Sequence, residues 1–119
     1  MTIQQIANRL LKLCGEGKFE TAKRELFDQD AVSIEPDASD LFEKETKGLD
    51  NILAKGDRLQ NRVREVLGYN LSQPLIVGNV IAFALNMEVL LNDGNKIKEA
   101  ELCVYTVNNG KIVSEQFFH

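Results

Sequence analysis

Three dipeptides, Gly78-Asn79, Asp93-Gly94 and Asn109-Gly110, divide the second half of this 119-residue chain into segments of strand length. Such pairs favour the backbone conformations that reverse a strand in a tight hairpin. They predict strands over about 66–77, 80–91, 96–107 and 111–118. Pro74 lacks the N–H a ladder needs, so it marks a bend, bulge or edge within the first. Segment 80–91 alternates cleanly. Ile81, Phe83, Leu85, Met87, Val89 and Leu91 form one apolar face, which is the core face.

The first half has a different period. Thr2 with Gln5 three residues on is a capping-box pattern. Ile3, Ile6, Leu10, Leu13 and Cys14 follow at helical spacing until Gly15 and Gly17. Phe19, Ala22, Leu26 and Phe27 share the face of a second helix, broken at Asp28-Gln29-Asp30. Residues 31–35 read as a short strand closed by Pro36, and 37–47 as a surface loop of a length often found at the rim of a site. A third helix is expected over 49–63, with Leu49, Ile52, Gly56, Leu59 and Val63 on one stripe. Helices first and an antiparallel meander second make an α+β fold, one domain over 1–119, with three helices covering one face of the sheet.

The inventory of reactive side chains excludes several chemistries. The only histidine is the last residue, His119, so a histidine-rich metal site is impossible. Two cysteines, Cys14 and Cys103, cannot build a four-thiolate zinc site or a disulfide framework, and read as small buried hydrophobes. The acids match no metal-ligand spacing, and no cofactor or metal is expected. Fourteen basic against eighteen acidic residues leave a net charge of −4. The densest basic group, Lys55, Arg58, Arg62 and Arg64, is interleaved with Asp57 and Glu65 and reads as a solvated helix face, not a nucleic-acid surface. No run approaches the roughly 18 apolar residues of a membrane span, and the N-terminus has no basic region before an apolar stretch. A cytoplasmic protein with no nucleic-acid or membrane partner is the expectation.

Three segments carry a resemblance. Residues 26–36, Leu-Phe-Asp-Gln-Asp-Ala-Val-Ser-Ile-Glu-Pro, end in an acid before proline. Lys47-Gly48-Leu49-Asp50-Asn51-Ile52 opens the third helix on a glycine. Residues 104–118 form a final hairpin. In this order and spacing the chain resembles the nuclear transport factor two-like superfamily, which includes ketosteroid isomerases and SnoaL-like polyketide cyclases. The resemblance covers nearly the whole chain. It implies a conical half-barrel: a curved, mainly antiparallel sheet wrapped around the third helix, a pocket at the open end, and dimerisation through the outer sheet face. It does not fix a function, because this fold hosts enzymes, binding modules and transport adaptors.

The face of strand 96–107 that joins the core depends on loop length, since a one-residue shift reverses faces. Two-residue turns at Asp93-Gly94 and Asn109-Gly110 put Leu102 and Val104 inside. Three-residue loops with a left-handed glycine put Cys103 and Tyr105 inside, in phase with Glu115, Phe117 and His119. Hydrophobicity favours the first. The resemblance favours the second, which is the reading adopted.

On that reading Glu35 occupies the position of the isomerases' general base, a carboxylate that works when desolvation brings its pKa toward the working pH. The isomerases' oxyanion-hole positions fall on Leu10 and Cys103, which supply no comparable donor, so steroid isomerisation proper is not expected. Tyr105 is a candidate electrophile. His119 is a candidate acid, since SnoaL-like cyclases use His and Asp for acid–base work. Glu101 shares the inner face with Glu35 and Glu115, and carboxylates in one apolar cup raise one another's pKa values. Ile52, Gly56, Leu59, Phe83, Leu85, Met87, Glu101, Cys103, Glu115 and Phe117 are the expected ligand-binding set. The function expected is a small-molecule pocket, with a small apolar or carbonyl ligand. The alternative is a lyase, isomerase or cyclase using Glu35 with Tyr105 or His119. A homodimer is expected through Ala84, Asn86, Glu88, Leu102, Val104, Thr106, Gln116 and Phe118, a mixture of apolar residues and polar rim.

Overall fold

The computed structural model describes residues 1–119. Helix α1 (Ile3–Gly15) starts where the sequence signals it. The Gln5 N–H donates to Thr2 Oγ1 at 3.2 Å and the Thr2 N–H to Gln5 Oε1 at 2.8 Å, a reciprocal cap of the kind that stabilises a helix by about 1 kcal/mol. At its end the Gly17 N–H bonds to Cys14 O and the Lys18 N–H to Leu13 O, with Gly17 at φ 75°. That crossed pair requires a left-handed residue, and glycine adopts it without a Cβ clash.

Helix α2 (Phe19–Leu26) passes without a loop into strand β1 (Phe27–Ile34). The sequence places Phe27 on the helix face and begins the strand at residue 31. The strand instead begins at Phe27, with an irregularity in its pairing between Phe27 and Val32. Phe27 is buried in either arrangement, so apolar periodicity could not separate the two. Strand β2 (Glu45–Lys47) pairs antiparallel with β1, shortening the expected 37–47 loop. Glu-Thr-Lys carries no apolar alternation that would reveal it.

Helix α3 (Leu49–Arg62) is tied to β1 by the Gly48 N–H, which donates to Ala31 O at 2.8 Å. It runs directly into β3 (Val63–Leu71). Pro74 falls in the break between β3 and the short β4 (Leu75–Val77). Two register irregularities interrupt the pairing of β3 with β5 (Val80–Leu91), and such bulges increase twist and bend a sheet. Strands β6 (Lys96–Asn108) and β7 (Lys111–Phe118) complete the order β2-β1-β7-β6-β5-β3, with β4 on β5. All pairs are antiparallel except β1 with β7. The result is three helices packed on one face of a curved, mostly antiparallel open sheet. Ile6, Leu10, Leu26, Ile52, Ile81 and Ile112 are its best-buried large side chains.

The register of β6 puts Cys103 and Tyr105 inside and leaves Leu102 44% exposed. The β5–β6 connection achieves this as expected, with a three-residue loop and Gly94 at φ 91°. The β6–β7 connection does not. Asn108 pairs with Lys111, so Asn109-Gly110 is a two-residue turn with both residues at positive φ. The register shifts one step later, where Val107 pairs with Ile112 and Thr106 with Ser114. Val113 is the extra residue of a bulge, and it brings Glu115 and Phe117 opposite Tyr105 and Cys103. No helix is long and apolar enough to cross a membrane.

Candidate functional site

Asn92, in the β5–β6 loop, bonds to Asn61 and Arg62 at the end of α3, and beside it residues 96–100 of β6 are exposed, with Ile97 and Glu99 facing the same space as Glu101. The curved sheet, α3 and the loop after β1 therefore enclose a cavity of about 410 Å³ open at one end. That is within the range of small-molecule sites. Leu59, Met87, Val89, Leu91, Phe42 and Phe117 give it apolar walls.

A chain of polar side chains crosses the cavity's inner end. Lys55 Nζ lies 2.8 Å from Glu35 Oε1 and donates to Ser33 Oγ at 2.8 Å. The Ser33 hydroxyl donates to Glu115 Oε1 at 2.8 Å. Ser33 and Glu115 are cross-strand partners of the parallel β1–β7 ladder, which fixes their approach. The ammonium also sits 5.2 Å from the Phe42 ring centre and 5.5 Å from that of Phe117, within cation–π range. Ser33, Lys55 and Glu115 are all buried. Burying these charges costs little net only because each is paired or hydrogen-bonded.

Lys55 corrects the sequence reading. The basic-residue pattern places it on a solvated face with Arg58 and Arg62, yet it is 6% exposed. The signal was present in the period: position 55 follows Ile52 by three and precedes Leu59 by four, so all three share a face. Ser33 gives no sequence signal, because a serine in a strand carries no pattern until its cross-strand neighbour is known.

Glu101 stands apart from the paired groups. Burial, then the nearby charges of Glu35, Glu99 and Glu115, push its carboxyl up to about 7, against the opposing pull of Lys55. The Cys103 thiol points to its Oε1 at 3.9 Å, and burial raises that thiol well above its ordinary range. Cys14, also buried, is pushed up to about 12. Neither thiol is poised to be a nucleophile. No group of three His, Cys, Asp or Glu side chains is arranged to hold a metal ion.

The raised Glu101 pKa makes stability depend on pH with a definite sign. Between about pH 4.5 and 7 the folded chain keeps a proton there that the unfolded chain has lost. Stability is therefore expected to fall as pH rises through that window, by at most about 3 kcal/mol. Urea titrations across the window should show this slope in the wild type and not in Glu101→Gln; equal slopes would mean that Glu101 is solvated.

The expected site residues divide into two sets. Glu35, Gly56, Leu59, Met87, Glu101, Glu115, Phe117 and His119 line the cavity, with His119 exposed. Ile52, Phe83, Leu85, Cys103 and Tyr105 lie in the core behind the wall. Tyr105 packs between Phe83, stacked at 5.6 Å, and Phe27, edge-on at 6.3 Å, and burial holds its phenol well above the usual range. It does not reach the cavity wall. Gly56 lines the wall, where an added Cβ would meet only the flexible Lys23 Nζ at 3.3 Å.

Three helices packed on a curved, mostly antiparallel open sheet are the architecture of the cystatin-like and nuclear transport factor two-like folds. The chain belongs to the SnoaL-like domain family, whose model matches residues 1–119. Among solved structures it is similar to a Mesorhizobium loti protein called a SnoaL-like polyketide cyclase, at 27% identity and TM-score 0.92 over 100% of both chains. It is also similar to a nuclear transport factor two-like protein of Burkholderia thailandensis, at 16% identity and TM-score 0.84 over 99% of this chain and 90% of the other. A Xanthomonas campestris protein with a cystatin-like fold matches at 16% identity and TM-score 0.82, over 99% and 90%. No curated protein matches the chain by sequence.

Proposed function

We propose that this chain is a single SnoaL-like domain that holds a small, largely apolar carbonyl compound between the curved sheet and α3, and that it works as a cytoplasmic homodimer. The observation that carries the ligand reading is the cavity itself: apolar walls around a buried, hydrogen-bonded polar group at one end, the usual build of a small-molecule site. A thermal-shift screen of small ketones, aldehydes and esters is expected to yield stabilising hits that compete with one another. A screen without any hit would refute the reading.

The outer sheet face supports the dimer. Leu102 and Phe118 are cross-strand partners and are 44% and 45% exposed, and Leu75 and Val77 of the edge strand are more exposed still. Exposed apolar clusters of this kind mark interfaces. Light scattering should give twice 13.4 kDa, reverting to one chain in Leu102→Glu. A mass near one chain for the wild type would exclude the dimer.

A second reading, acid–base catalysis on the same ligand, is favoured by the unlike environments of two carboxyls in one cavity. Glu35 is ion-paired, while burial and neighbouring acids push the Glu101 carboxyl up to about 7. Environments that separate two carboxyls in this way divide the roles of base and acid. Glu35 would take the proton and Glu101 would return one. Tyr105 lies behind the wall, and His119 would serve from the mouth. Glu35→Gln is then expected to abolish turnover of a compound found in the screen, and unchanged turnover would remove Glu35 from the mechanism.

A further inference from the structure

The inner end of the cavity is organised around one cation. The Lys55 ammonium has three N–H bonds. Glu35 Oε1 and Ser33 Oγ each take one direction at 2.8 Å, and no other protein acceptor is hydrogen-bonded to it. The rings of Phe42 and Phe117 flank it and leave it on the cavity wall. We propose that Lys55 receives the carbonyl oxygen of the ligand, so that the cavity selects neutral carbonyl compounds over carboxylates of the same shape. The inference rests on reading the cavity as a small-molecule site, and it names the recognition group and the ligand charge.

The charge arrangement carries the selectivity. The charged and titratable groups facing the cavity are Lys23 from α2, Glu35 and Asp37 after β1, Lys55 from α3, Glu99 and Glu101 from β6, Glu115 from β7, and His119. At the inner end the single ammonium already faces Glu35 and, through Ser33, Glu115. A carboxylate ligand would bring a third negative charge to one positive charge. A neutral carbonyl accepts the remaining N–H without changing the charge, and hydrogen bonds from an ionised donor are the strong ones in a low-dielectric site. Glu101, its carboxyl pushed up to about 7 chiefly by burial, lines the same cavity and offers a second donor when protonated. Lys55 thus supplies polarisation that neither Leu10 nor Cys103, both buried in the core, can offer.

The test uses three probes of one shape: acetophenone with a ¹³C-labelled carbonyl, benzoate and benzylamine. Calorimetry gives affinities, and infrared difference spectra read the carbonyl stretch of the bound ketone. Acetophenone is expected to bind at least tenfold more tightly than benzoate, with its stretch below the value in an alkane solvent, and benzylamine, drawn by the cavity's acids, is expected to compete with it. Lys55→Met should return the stretch to the alkane value and weaken binding about tenfold, while Lys55→Arg keeps the lowered stretch. A ketone that binds the wild type with an unshifted stretch overturns the role of Lys55 and leaves the pocket reading standing. Tighter binding of benzoate overturns the selectivity. Failure of all three probes to bind removes the pocket reading and this inference together. The wild-type spectrum decides the matter even if the methionine variant does not fold.

Discussion

Replacing Lys55 with methionine is expected to destabilise the protein by about 3 kcal/mol, one of the largest effects available from a single polar residue. Methionine keeps the length and the apolar contacts with Phe42 and Phe117 but removes the charge. Glu35, whose side chain is 14% exposed, then loses its counter-ion, and Ser33 loses its donor. Deleting one partner of a buried pair leaves an uncompensated charge and typically costs 3–5 kcal/mol. The cavity admits solvent, which places the expectation at the lower end. Removing both charges in Lys55→Met with Glu35→Gln should recover most of the loss, because the penalty belongs to the orphaned carboxylate. Urea unfolding of the two single variants and the double variant closes the cycle. A loss below about 1 kcal/mol for Lys55→Met would mean that the pair is screened like a surface one.

Phe83→Ala is expected to cost about 3–5 kcal/mol, the usual loss for emptying a buried phenylalanine site. Phe83 is 3% exposed and stacks on Tyr105, which in turn packs on Phe27. The three rings join β5, β6 and β1 beneath the cavity floor. The variant therefore separates two roles that strand phase alone cannot. If Phe83 is floor, stability falls strongly, and any ligand affinity lost is recovered where the variant remains folded. If Phe83 instead contacts ligand, affinity falls with little loss of stability. Thermal unfolding with and without a bound ketone distinguishes these outcomes.

The sequence exposed the fold through features that act locally. The capping box at Thr2 and Gln5, the alternation of 80–91 and the glycine turns each dictate structure within a few residues. The seam between α2 and β1 was hidden because Phe27 is buried on either side of it. The register of β6 against β7 was hidden more deeply. Its turn is the two-residue type that, by itself, would have sent Ser114 and Gln116 inward opposite Tyr105 and Cys103, and Val113 reverses that result. In the site, the carboxylates stood out because acids on a core face are conspicuous. Lys55 did not, because a lysine among arginines and aspartates on a helix reads as solvated until Glu35, twenty residues earlier, is brought to it by the β1–α3 contact. Tyr105 was in the correct row but too deep. Alternation gives the side of a sheet but not the depth along it, and on β6 the core residues Tyr105 and Cys103 give way to cavity wall only at Glu101 and Glu99.

The bulge at Val113 works as a parity bit for the domain. Every residue of β7 after it has its side of the sheet decided by whether the count from Gly110 is odd or even. Losing or gaining one residue in this stretch would exchange Glu115 and Phe117 with Gln116 and Phe118. The cavity would receive what now faces outward, and the outer surface would receive the acid that anchors Ser33. Two residues inserted together would preserve the parity. The final strand therefore tolerates length changes only in even steps, and one valine links the chemistry of the inside to that of the outside.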